Sequence, residues 1–147
     1  MKNAIAKYYA ILEKLKDLPP LIFRLVIAYG FYGPAMKKVG NFEGTAKFFA
    51  KLDIPLPTFN AYLAGITEFL GVWLLLLGLG TRLIAIPLMV TMAVAIYTVH
   101  YKFGFKAVDN GYQIQLYFIF MLFLLLIFGS GRISLDHLIG RWRKNRE

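Results

Sequence analysis

Residues 67–82 read "TEFLGVWLLLLGLGTR", with one carboxylate, Glu68, at the head of a run that carries no other charge until Arg82. Extended to 60–80, "NAYLAGITEFLGVWLLLLGLG", the segment reaches the roughly 20 predominantly apolar residues with which a helix crosses a bilayer. Asn60 is placed to cap its start, and the Gly78/Gly80 pair to stop it. A carboxylate inside such a helix is expensive in hydrocarbon, so it must be paired or used.

Three further segments have the same character. The first, 20–39, "PLIFRLVIAYGFYGPAMKKV", follows Pro19 and starts with Pro20, residues suited to a first helical turn. The others are 82–101, "RLIAIPLMVTMAVAIYTVHY", and 111–129, "GYQIQLYFIFMLFLLLIFG". The expected fold class is therefore all-α, an integral membrane four-helix bundle forming one domain over 1–147, with interfacial amphipathic helices at both ends. At the N-terminus, Ile5, Tyr8, Leu12 and Leu15 share a helical face, as in a helix lying on headgroups. In the loop "NFEGTAKFFAKLDIPLP", Phe42, Phe48, Phe49 and Leu52 suggest a second short helix, ended before Pro55. In the tail "SLDHLIGRWRK", Ser134 is a candidate N-cap, Asp136 lies in the first turn, and Trp142 sits among arginines as an interface anchor.

Composition agrees. The 147 residues are 59% hydrophobic, with a mean hydropathy of +0.59. There is no cysteine, which removes disulfides, thiolate metal sites and dithiol relays. The net charge of +9 would suggest nucleic acid in a soluble protein; here it fits an anionic inner leaflet, and no nucleic-acid partner is expected. The first twenty residues carry charges throughout and no apolar core, so no cleaved signal peptide is expected. On one side lie Lys2, Lys7, Lys14, Lys16, Arg82, Arg132, Arg141, Arg143, Lys144 and Arg146; on the other lie Lys37, Lys38, Lys47, Lys51, Lys102 and Lys106. This bias puts both termini in the cytoplasm of a multi-pass bacterial inner-membrane protein.

Among the ionisable residues of the spans, three are candidates for a functional site: Arg24, Glu68 and His100. Glu68 shares its helix face with Ala61, Ala64, Gly65, Gly71 and Val72, and small residues mark where membrane helices approach one another. It is expected to point into the bundle, about 12 Å from the outer boundary. On the first span, Gly30, Gly33, Pro34 and Lys37 form a matching face. Lys37 from the outer end or Arg24 from the inner end, each about 10 Å away in depth, is the expected partner. With Tyr97, His100 and Gln113, these residues could converge on a polar pocket open to the outside. Two roles stay open for Glu68: an ion pair that sets helix register, or an acid–base group with His100 as proton donor. The two histidines, His100 and His137, fall on opposite sides of the membrane, so no bis-histidine haem or multi-histidine metal site is expected.

The series "RLVIAYGFYGPAMKKVGNFEGTAKFFAKLDIPLP", "LAGITEFLGVWLLLLGLGTRLIAIPLMVTMAVAIYTVH" and "GSGRISLDHLIGR" resembles the DoxX family of small four-helix bacterial membrane proteins. The join of "NFEGTAKFF" to "PLMVTMAVAIYTVH" looks closest to its HvfX-like branch, which accompanies the maturation of copper-binding secreted peptides. The start of the fourth span, "GYQIQLY", departs from relatives that carry a carboxylate or histidine there. The resemblance implies an accessory subunit of a membrane oxidoreductase, with quinone as the possible cofactor, or of a peptide-maturation system. A non-catalytic scaffold, a protein partner or homo-oligomer, and a small transporter are the other readings.

Overall fold

A computed structural model of the chain describes residues 2–144, with the side chains at positions 2–4, 6, 11 and 14 outside the description. Arg146, and the side chains of Lys2 and Lys14, counted above in the charge bias, therefore lie outside the described residues. The described chain consists of helices and turns: α1 (Lys2–Leu15), α2 (Leu18–Gly40), α3 (Phe42–Lys51), α4 (Pro57–Leu77), α5 (Thr81–Ala95), α6 (Gln113–Phe128) and α7 (Leu135–Lys144). A π-helical turn, Ile96–His100, and a 3₁₀ turn, Tyr101–Phe103, extend α5.

Local chemistry sets the boundaries. Pro19 and Pro20 occupy the first turn of α2, where the missing N–H would have been unpaired anyway. The same logic moves the start of α4 from the expected Asn60 to Pro57. Asn60 instead donates from Nδ2 to the Pro55 carbonyl at 2.6 Å, inside the first turn. Gly78, with φ +66, ends α4 in a Schellman motif: Leu79 N–H reaches the Leu74 carbonyl at 2.9 Å and Gly78 N–H the Leu75 carbonyl at 3.2 Å. Gly80, also left-handed at φ +58, turns the chain straight into α5. α3 starts at an Asn41 cap, whose Oδ1 accepts from Gly44 N–H at 2.8 Å. Ser134 caps α7 as expected, accepting from His137 N–H at 3.2 Å.

The four long helices share one core. It comprises Ile27, Ala28, Phe31 and Ala35 of α2, Val72 and Leu75 of α4, Ala85 and Leu88 of α5, and Leu122 and Leu125 of α6. Glycines bring the helices close. A Cβ on Gly71 would meet the Leu88 side chain at 2.8 Å, and one on Gly30 would lie in the Phe118 ring. α2 and α4 run antiparallel, with Lys38 beside Gly65 at one end and Arg24 beside Gly78 at the other.

Among the described residues two helices are long and apolar enough to cross a membrane: Pro57–Leu77 and the extended Thr81–Phe103. Only 33% and 11% of their apolar windows are buried, unlike the core helix of a soluble protein. α6 is as apolar but has 16 residues, and the 23 residues of α2 are bounded by charges at both ends. The outward surface, including Leu70, Trp73, Leu83, Val90, Phe120 and Phe123, is exposed and apolar, as suits lipid rather than water.

Candidate functional site

The buried stripe of α2 runs Arg24, Ile27, Ala28, Phe31 and Ala35, spaced three and four residues apart. Continuing it by three residues reaches Lys38. At that end the Lys38 ammonium meets Glu68 of α4, with Nζ 2.6 Å from Oε2. The Glu68 side chain is 4% exposed and that of Lys38 21%. Lys38 is the one hydrogen-bond or ionic partner of Glu68 among the described residues. Gly65 makes the approach possible, since a Cβ there would stand 2.7 Å from the Phe42 ring and 3.3 Å from Lys38 Cβ. Glu68 thus faces inward among Ala61, Gly65, Gly71 and Val72, all buried.

The basic partner differs from both expected ones. Gly33, Pro34 and Lys37 lie on the exposed side of α2, because the stripe that packs runs through Arg24, Ile27, Ala28, Phe31 and Ala35 instead. Lys37, one residue or about 100° around the helix from Lys38, faces away from the pair. Arg24 lies about 21 Å of helix rise from Lys38, beyond reach of Glu68. The remaining predicted pocket residues do not join the pair. Tyr97 is 84% exposed. His100 binds the Asn110 carbonyl through Nδ1 at 2.7 Å. Gln113 organises the loop before α6, accepting from Ala107 N–H at 3.1 Å and donating to the Tyr117 hydroxyl at 2.8 Å. His100 and Gln113 therefore secure the α5–α6 connection.

Beside the pair, a cavity of about 560 Å³ lies between the end of α2 and α3, lined by Gly33, Pro34, Lys37, Lys38, Phe48 and Phe49 among others. Lys38 is common to both: it closes on Glu68 and forms part of the cavity wall. Lys37 and Lys38 give this cavity hydrogen-bond donors and the two phenylalanines give it aromatic surface. No group of three or more His, Asp or Glu side chains gathers to hold a metal among the described residues.

A second polar cluster occupies the opposite end. Arg24, 1% exposed, donates from Nη2 to the Ile133 carbonyl at 2.5 Å. Asp136 accepts from Gly80 N–H at 2.8 Å and more weakly from Thr81 N–H at 3.4 Å, capping α5 from a distant part of the chain. Its own N–H returns to the Gly78 carbonyl at 3.1 Å. Arg132 N–H donates to Asp17 Oδ1 at 3.2 Å. The segment after α6 is thereby bound under the α4–α5 turn. Sequence reasoning singled out Arg24, "GLGTR" and "SLD" separately; only their spatial meeting shows them to be one structure.

The family model for DoxX matches residues 20–101, more than half of the chain, and the chain belongs to the DoxX family. Among curated relatives, an uncharacterized protein of Haemophilus influenzae is 31% identical over 123 residues, covering 81% of this chain and 82% of its own. The protein named "Putative oxidoreductase CatD" of Bacillus subtilis is 30% identical over 135 residues, covering 91% and 96%. "Uncharacterized membrane protein Rv3486" of Mycobacterium tuberculosis is 33% identical over 103 residues, 63% of each chain. No solved structure matches.

Proposed function

We propose that this DoxX-family membrane protein crosses the inner membrane with α2, α4, α5 and α6, both termini in the cytoplasm. We propose further that it serves as the accessory subunit of a quinone-linked membrane oxidoreductase. The observation that carries the reading is the Lys38–Glu68 pair, a buried ion pair one of whose members also lines a cavity with aromatic walls. Buried ionisable groups in membrane helices mark working positions by default, because their cost in hydrocarbon needs a compensating use. The family relation to a protein named as an oxidoreductase supports the redox association. Lys38 would hold a quinone carbonyl, Glu68 would fix the position of the ammonium, and the phenylalanines would flank the ring.

The test is the quinone content of protein extracted and purified in mild detergent. Wild-type protein should retain quinone, and Lys38→Met should lose most of it while remaining folded. Absence of quinone from the wild type, or equal retention by Lys38→Met, removes the quinone role. A second reading, a non-catalytic scaffold, is favoured by the near-complete enclosure and pairing of Glu68. It predicts that Glu68→Gln leaves recovery of partner subunits unchanged and that no quinone is bound. The peptide-maturation role implied by the HvfX-like resemblance predicts instead that a secreted peptide precursor copurifies.

A further inference from the structure

We infer that the rim of the α2–α3 cavity is a binding site for the anionic headgroup of a phospholipid, with Lys37 as the recognising cation. The cavity has two lysines on its wall, and they are not equivalent. Lys38 is neutralised by Glu68. The nearest acidic residue of α3, Glu43, is held by Lys47 at 2.7 Å on that helix's own surface. Lys37 has no hydrogen-bond or ionic partner among the described residues, so the cavity carries one uncompensated positive charge at its exposed edge.

The shape of the site agrees with that charge. Gly33 leaves open space, since a Cβ there would meet nothing within 4 Å. A volume of about 560 Å³ accommodates a phosphate and glycerol unit. Phe48 and Phe49 of α3 form the other wall, giving the first acyl carbons an apolar surface that a free inorganic anion could not use. The cavity also lies where a spanning helix meets the short helix expected to lie in the interface, which is headgroup level. A lysine without a counter-charge at headgroup level attracts an anionic headgroup by the same charge attraction that holds basic segments on anionic lipid. The inference rests on the membrane placement proposed above; its recognising cation is Lys37, not the Lys38 of the quinone reading, although the two ligands would share the cavity and its phenylalanines.

The experiment measures the thermal midpoint of the detergent-purified full chain with phosphatidylglycerol, phosphatidylcholine or inorganic phosphate added. Three proteins are compared: wild type, Lys37→Ala, and Lys51→Ala as a control that removes a nearby positive charge outside the cavity lining. Phosphatidylglycerol should raise the midpoint of wild type and Lys51→Ala by about 5 °C, and that of Lys37→Ala by less than half as much. Phosphatidylcholine and phosphate should leave all three unchanged. An equal gain in Lys37→Ala, an equal loss in Lys51→Ala, or the same gain from phosphate alone overturns the lipid site. Recovery of the protein without detergent in the soluble fraction would instead remove the membrane placement.

Discussion

Lys38 and Glu68 meet across the α2–α4 interface with Nζ and Oε2 2.6 Å apart, the carboxylate enclosed and the ammonium partly open to a cavity. The pair joins the two helices at one end as Arg24 and Gly78 meet at the other. Removing one member of a buried pair leaves the other charge uncompensated, which costs about 3–5 kcal/mol in full burial. With Lys38 still one-fifth exposed, Lys38→Met or Glu68→Leu should each cost about 2–3 kcal/mol. The double variant should cost less than either single one. A double-mutant cycle on thermal or denaturant unfolding in detergent measures this coupling, and strict additivity would show that the two charges act independently.

Gly78 is constrained twice. Its φ of +66 disfavours any side chain, and a Cβ would strike the Arg24 guanidinium. Gly80 has nearly the same φ but open space around it. Gly80→Ala should therefore cost about 1 kcal/mol, and Gly78→Ala at least about 2 kcal/mol. Comparison of the two midpoints separates backbone strain from the collision, and equal losses would argue against close packing of Arg24 on the turn.

The segment after α6 is held by few bonds, chiefly Arg24 to the Ile133 carbonyl and Asp136 to the α5 N-terminus. Arg24→Met should release it, since each such bond to a charged group is worth about 1.5–3 kcal/mol. Trypsin digestion at Arg132 and Arg141 reports the opening. The cleavage rate should rise at least about tenfold in Arg24→Met, with a smaller rise in Asp136→Ala, whose cap contributes about 1 kcal/mol. Unchanged rates would show that α7 is held by other means.

The chain has no cysteine, so single introduced cysteines report topology without background. In intact cells, Lys51→Cys and Lys106→Cys should react with an impermeant maleimide, whereas Arg132→Cys and Lys144→Cys should react only after permeabilisation. The reverse pattern would invert the orientation, and labelling at all four positions would deny the four spans.

Hydrophobic length and punctuation in the sequence determined the helices themselves. The four apolar runs, the prolines that open α2, the Gly78–Gly80 turn and the Ser134 cap follow from local chemistry that acts within a few residues, whereas the start of α4 at Pro57 was misplaced at Asn60. The inward aim of Glu68 was also legible, because small residues at helical spacing surround it. The partner of Glu68 was not. Lys37 and Lys38 are neighbours in sequence, and choosing between them requires the rotation of α2, which is fixed by Phe31 and Ile27 packing against three other helices. Tyr97, His100 and Gln113 stay out of the expected pocket because they belong to the α5–α6 connection, where His100 binds the Asn110 carbonyl and Gln113 the Ala107 N–H. The rotation of α2 also placed Arg24 against a carbonyl 109 residues away. Local sequence specifies where a helix begins and ends; only the mutual packing of four helices decides which of its faces is buried, and with it which charges meet.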